Sequence, residues 1–391
     1  MKTPSDRTRL IAGATRRGGG RRPVNPPIER ASTMLSDRVG DMRDESLGPT
    51  YGLTSGSAAR ELRAAVAGLE GADDAWIVPS GLAAVTVPLL AVARPGDEIL
   101  ASDAVYGPTR RFLSRWMGGR GVSVRYHPAE ADAATVASLI GERTRVVLIE
   151  SPASLTMEML DVPALAAAAQ AKGVLTIMDN TWAAGLAFKP LAHGVNISVQ
   201  ALTKYASGHS DVLIGSIATN DAVLGRAVHD TIEDMGWHVS PDDAWLTLRG
   251  IRTLPLRMTE QARSALQVTA WLRDQPEVAE VLYPPLPGSA GHDLWARDYT
   301  GAASLFGVVM TGGTTASAEA MLDSLSLFGL GYSWGGFESL ATHEKHQMDY
   351  RQQPPTLAGE LLRFHIGLED PADLIADLEV GLAAWRMSLR T

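Results

Sequence analysis

At 391 residues, with 45% hydrophobic and 20% charged side chains, the chain has the make-up of a folded protein of two or three packed units, which excludes a disordered one. A net charge of −9 speaks against a nucleic-acid footprint, which needs a basic face, and leaves small molecules and copies of the same chain as the expected partners. Having no cysteine removes disulfides, thiolate nucleophiles and cysteine-ligated metals together.

Residues 1–55 are rich in Gly, Pro and Arg and show little periodicity, as expected of an extended arm draped over a neighbouring surface. Arg16, Arg17, Arg21 and Arg22 surround three glycines, but no apolar run follows. Neither a secretory nor a twin-arginine signal is completed, so a cytoplasmic location is expected. From Ala58, the apolar residues Ala59, Leu62, Ala65, Val66 and Leu69 recur at helical spacing until Gly71. A large unit over 56–250 then alternates strands, expected at 75–78, 98–101, 122–126, 145–149, 174–178, 197–202 and 212–218, with helices at 82–93, 108–116, 133–140 and 163–171. The stretch 82–93 is the longest apolar one, broken by Thr86 and Pro88, and falls short of the roughly 20 residues that span a bilayer. The alternation predicts an α/β fold with right-handed βαβ units and a mainly parallel sheet. Residues 251–391 read as a linker helix around 246–269, interrupted by Pro255, and a smaller α+β C-terminal unit. That unit carries strands at 305–310 and 361–366 and helices at 316–322 and 373–387.

In such a sheet, ligands belong at the carboxyl ends of the strands. Asp179 ends one apolar strand there, and Lys204 follows another. A lysine amine to hold an aldehyde and an acid to keep a ring nitrogen protonated are the two needs of pyridoxal 5'-phosphate (PLP) chemistry. The plainer readings are a surface lysine at a strand end and an aspartate that caps a turn. Pro79-Ser80-Gly81-Leu82 joins a strand to an apolar helix, so the amides of Gly81 and Leu82 suit a phosphate, with Thr203 adding a hydroxyl. Tyr106, beyond the second strand, is placed to stack on a cofactor ring or simply to anchor its loop. Arg363 in a short apolar strand needs an anionic partner, for which a substrate carboxylate is the natural choice. His343 and His346 lack metal-site spacing and are read as structural, with no metal expected. His209 supports the loop after Lys204.

Several segments together resemble the Cys/Met-metabolism family of PLP enzymes, and within it the cystathionine β-lyase branch. They are Asn25-Pro26-Pro27-Ile28, Thr50-Tyr51-Gly52, Pro79-Ser80-Gly81, Asp103-Ala104-Val105-Tyr106-Gly107, Asp179-Asn180-Thr181, Thr203-Lys204-Tyr205, Tyr332-Ser333-Trp334-Gly335-Gly336 and Arg363-Phe364-His365-Ile366-Gly367. The resemblance implies fold-type I, the aspartate aminotransferase-like architecture, and a homotetramer built as a dimer of dimers. It implies that Lys204 carries the cofactor and moves protons, that Asp179 meets the ring nitrogen, and that Tyr106 stacks on the ring. Gly81, Leu82 and Thr203 would hold the phosphate, and Tyr51 would reach the neighbouring subunit's phosphate. Ser333, Arg363, Trp334 and Tyr332 would bind the substrate. The implied activity is β-elimination of L-cystathionine to homocysteine, pyruvate and ammonia, with cysteine desulfhydration as a side activity. The alternatives are a γ-acting lyase, synthase or sulfhydrylase, and a PLP-binding protein without turnover. Two positions depart from the family pattern: Leu53 stands where an arginine usually meets the phosphate, and Ala201 where many members carry serine. A lost charged hydrogen bond is worth about 1.5–3 kcal/mol, so weaker cofactor retention is expected; Arg60 and Arg63 are the nearest substitute cations.

Overall fold

The computed structural model describes residues 4–15, 21, 23–52 and 56–390. Arg16, Arg17, Arg22, the glycines between them and Leu53 lie outside the described residues. Seven strands make the larger sheet: β1 (Asp74–Val78), β2 (Glu98–Ser102), β3 (Ser123–His127), β4 (Thr144–Glu150), β5 (Leu175–Asp179), β6 (Ile197–Gln200) and β7 (Gly215–Thr219). Their spatial order is β1, β7, β6, β5, β4, β2, β3. Strands β2 to β6 pair in parallel, and only β7 runs against its two neighbours. All seven expected strands are present, with no end shifted by more than three residues.

Around this sheet lie α1 (Asp6–Thr15), α2 (Ser57–Glu70), α3 (Gly81–Val92), α4 (Gly107–Phe112), α5 (Ala133–Leu139), α6 (Val162–Ala171), α7 (Ala222–Asp234) and α8 (Pro241–Ile251). Both faces of the sheet are covered, which the alternation along β4 makes visible. Val146 and Leu148 join the core beneath α3 and α7, whereas Val147 and Ile149 join the one beneath α2 and α6. Helix α3 is apolar nearly throughout because it is buried nearly throughout. Its first turn is capped by Ser80, whose Oγ accepts from the Ala83 amide at 3.0 Å.

The stretch read as one linker helix is two, α8 and α9 (Leu254–Arg273). Pro255 has no N–H to give, so it sits in the first turn of α9, where none is needed. A second departure is α1, a helix inside the region read as an extended arm, with Leu10 buried in the core. The smaller sheet holds β8 (Val278–Leu282), β9 (Leu305–Met310), β10 (Gly329–Leu330), β11 (Leu340–His343) and β12 (Leu361–His365), in the order β10, β11, β12, β9, β8. All its pairings are antiparallel except β10 with β11. Helices α10 (His292–Asp298), α11 (Thr315–Asp323) and α12 (Pro371–Ser388) complete this part.

On β12, Leu362 and Phe364 point into the apolar core, while Arg363 and His365 share the opposite face. The anchor of α12 is Trp385, fully buried, against which a side chain on Gly313 would collide. Trp385→Ala should therefore lower stability by about 3–5 kcal/mol, read from the urea midpoint. A loss under about 1 kcal/mol would contradict this packing.

Candidate active site

The carboxyl ends of β4, β5 and β6 place three chemically active groups side by side. Glu150 and Asp179 end β4 and β5 as register partners, and Lys204 lies four residues beyond β6. Asp179 Oδ1 accepts from the Thr181 amide at 3.0 Å and from its hydroxyl at 2.5 Å. Thr181 Oγ1 in turn accepts from the Ala201 amide at 2.8 Å, tying the tip of β5 to the segment that carries Lys204. Burial raises the pKa of Asp179, opposed by the Thr181 hydrogen bonds and by Lys204. Burial, then the neighbouring Asp179, also raises the pKa of Glu150, opposed by the Tyr106 amide and by Arg351.

Lys204 Nζ donates to Ser333 Oγ at 2.6 Å and lies 5.2 Å from the centre of the Trp334 ring. Burial, then the Arg363 guanidinium, lowers its pKa to about 8 against the pull of Asp179. An amine so placed is neutral for a useful fraction of the time near neutral pH, which a solvated lysine is not. Ser333 holds φ at +91°, a conformation that costs a non-glycine residue on the order of 1–3 kcal/mol. The loop tolerates it because Gly335, at φ +86°, lies directly on the Lys204 backbone: a Cβ there would sit 2.8 Å from the Lys204 carbonyl carbon.

Arg363 enters from β12, its pKa lowered by burial and supported by Glu344, Tyr106 and Tyr332. Its protein partner is the fully buried Glu344, whose Oε1 lies 3.4 Å from Nη2. Tyr106 precedes α4 and its amide donates to Glu150 Oε2 at 2.8 Å. Its hydroxyl pKa is raised by partial burial, then by Glu150 and Asp179, and lowered by Arg363. The set Lys204, Asp179, Tyr106, Ser333, Trp334, Arg363 and Tyr332 is thus joined by short contacts or mutual electrostatics.

Other expected positions behave differently. Gly81 packs so closely on Ala201 that a side chain at 81 would strike the Ala201 methyl. With Ser80 capping Ala83, the amides of Gly81 and Leu82 at the start of α3 have no intrahelical acceptor and face outward from the helix end. Thr203 is committed to the backbone: its hydroxyl donates to Ile214 O at 3.0 Å and accepts from Ile214 N at 2.9 Å. Tyr51 lies on the arm, 55% exposed, paired with Thr33 across an isolated antiparallel bridge. Arg63 is engaged with Ala75 O at 2.7 Å and Asp74 at 3.2 Å. His343 bonds Glu360 at 2.6 Å, and His209 Nδ1 lies 2.6 Å from Ser207 O within the loop it follows.

These residues fit PLP: an amine of lowered pKa, a carboxylate on the neighbouring strand tip, helix-end amides for a phosphate and a tyrosine between them. Glu150, Thr181 and Glu344 escape sequence reasoning. Glu150 had a signal, since it ends an apolar strand as Asp179 does; Glu344 had none, being distant in sequence from the Arg363 it supports. The lowered amine pKa has a stability consequence. Below pH 8, Lys204 is charged both folded and unfolded and its burial is a cost; between pH 8 and about 10.4 the unfolded chain binds more protons. The cofactor-free wild type should therefore gain stability relative to Lys204→Met as pH rises through that window. A difference that stays flat in urea melts from pH 7 to 10.5 would contradict the shifted amine.

Comparison with known proteins gives the family. The family model described as Cys/Met metabolism PLP-dependent enzyme matches residues 7–383. A putative cystathionine beta-lyase of Rhizobium johnstonii is 43% identical over 365 residues, covering 92% of this chain and 91% of that protein. The cystathionine beta-lyase MetC of Escherichia coli is 40% identical over 371 residues, covering 92% and 93%. Among solved structures, a cystathionine gamma synthase of Xanthomonas oryzae pv. oryzae superposes with a TM-score of 0.90 at 29% identity, over 99% of this chain and 100% of that one. The fold is therefore fold-type I, and the chain belongs to the Cys/Met-metabolism family of PLP-dependent enzymes.

Proposed function

We propose that this protein is a carbon-sulfur lyase that eliminates across the β-carbon of L-cystathionine, giving homocysteine, pyruvate and ammonia. The observation that carries the reading is the Lys204 amine on Ser333 Oγ beside the Trp334 ring, at the centre of the aromatic Tyr332-Ser333-Trp334 element. Cystathionine beta-lyase relatives at 40% identity or more support the same branch. When bound, the cofactor supplies an electron-withdrawing ring that lets an α-proton leave. Lys204 Nζ takes that proton and returns one to the departing sulfur. Asp179 would offer its carboxylate to the ring nitrogen, and the amides of Gly81 and Leu82 would hold the phosphate. Arg363 binds the substrate carboxylate, with Glu344 keeping the guanidinium in place from behind. Tyr106, whose amide is held by Glu150, would stack on the ring.

Several further assignments belong to this reading. Residues 56–250 form the cofactor-binding unit and 251–391 the linker and small unit, and the arm within 1–55 is confined to the part after α1, which packs on the body of the protein. Tyr51 reaches a neighbouring subunit, the assembly is a tetramer of paired dimers, and the enzyme works in the cytoplasm. A γ-acting relative is the second reading, favoured by the full-length likeness to a cystathionine gamma synthase structure.

Product analysis separates the two: L-cystathionine should yield pyruvate, whereas 2-oxobutyrate would mark γ-elimination and sink the β-lyase reading. Lys204→Ala should lower keto-acid release by at least about a thousandfold and abolish the visible absorbance that the cofactor gains from its covalent link to lysine. An unchanged spectrum would remove Lys204 from its assigned role.

A further inference from the structure

The Ser333 loop is held by a residue that carries no role in the chemistry above. His365 is 1% exposed and follows Arg363 by two positions on the same face of β12. Its Nε2 accepts the Gly335 amide at 3.0 Å, and its Nδ1 lies 3.1 Å from Ser304 Oγ. Ser304 Oγ gives its own proton to Ile366 O at 2.7 Å, so it accepts from Nδ1–H; the shorter Gly335 amide contact then takes the Nε2 lone pair, with Gly336 O at 3.3 Å from the same nitrogen. Burial, then Arg363 and Lys204, lower its pKa to about 3 against the Gly336 carbonyl, so the ring is neutral.

The same network returns to the lysine. The Ser304 amide donates to the Tyr205 hydroxyl at 2.9 Å, and the Tyr205 ring lies 5.9 Å from His365 and 5.4 Å from Trp334. Tyr205 is bonded in sequence to Lys204, so the imidazole fixes the strained Ser333 loop and the lysine segment to one common point, Ser304. Gln261 Nε2 adds a second pin by donating to Gly336 O at 2.7 Å. We propose that His365 is a positioning residue that holds the Gly335 amide so that Ser333 Oγ stays on the Lys204 amine. The inference rests on the functional reading only for the kinetic part of its test.

The test compares wild type, His365→Phe, His365→Gln, Ser333→Ala and His365→Phe/Ser333→Ala. His365→Phe keeps a ring against Tyr205 but removes both nitrogens; His365→Gln restores an acceptor at the Nε2 position. In cofactor-loaded full chains, His365→Phe should lower kcat for keto-acid release from L-cystathionine about tenfold, with KM moved less than about threefold and His365→Gln within about twofold of wild type. In the Ser333→Ala background the same change should cost under about twofold, because the contact it serves is already gone.

A second readout needs neither substrate nor cofactor. The chain has five lysines, so peptide mass spectrometry resolves acylation of Lys204 from that of Lys172. In cofactor-free full chains at pH 10, Lys204 labelling relative to Lys172 should rise at least about threefold in His365→Phe and show no further rise over Ser333→Ala in the double variant. Equal effects of His365→Phe in both backgrounds, or Lys204 labelling that does not move, would overturn the inference. Should His365→Phe fail to accumulate as folded chain, Ser304→Ala carries the same test with the same expected signs. If wild type releases no keto acid, the functional reading falls while the labelling cycle still decides the role of His365.

Discussion

An ammonium group buried beside a guanidinium is costly, and the site is organised around that cost. Arg363 and burial both work against charge on Lys204, Asp179 works for it, and the balance leaves an amine that titrates at about 8. Every other feature of the site either sets that balance or keeps the amine in one place. Thr181 fixes Asp179, Glu344 fixes Arg363, and Ser333 accepts the amine's hydrogen bond from a backbone conformation that serine rarely adopts.

The two parts of the chain meet at this amine. The larger sheet brings Lys204, Asp179 and Glu150 to adjacent strand tips because parallel strands all end on one side. The smaller sheet brings Ser333, Arg363 and His365 from strands and loops that share one face of β12 and its flank. Much of this polar meeting is paired within the protein, through Ser304, Tyr205 and the Gln261 Nε2, which limits the cost of burying it. The carboxylate pair adds a further constraint. Two acids on neighbouring strand tips cannot both ionise cheaply, so the pKa of each is raised, and Glu150 Oε2 accepts the Tyr106 amide.

Much of this was legible in the sequence, for physical reasons that differ by element. The inner strands β2, β4 and β5 announced themselves because buried parallel strands are near-continuous apolar runs, and Asp179 stood out at the end of one of them. Arg363 was visible for the same reason. What stayed hidden depended on contacts distant in the chain: Glu344 behind Arg363, Thr181 between two strand ends, and His365 beneath a glycine amide. The short strands β10 and β11 were hidden too, since two to four residues carry no readable period. Helix α1 went unread because its sequence has little amphipathic signal, and only packing against the body of the protein makes it a helix. The break at Pro255 was seen, but not that it starts a helix instead of kinking one.

Of the five lysines, Lys204 is the one proposed to do the covalent work. Borohydride reduction of the PLP-loaded protein, followed by peptide mass mapping, locates the cofactor directly. The mass of reduced pyridoxyl phosphate should appear on the peptide that contains Lys204 and on no other. Its appearance on the peptides of Lys172, Lys189 or Lys345, or on none, would contradict the site described above.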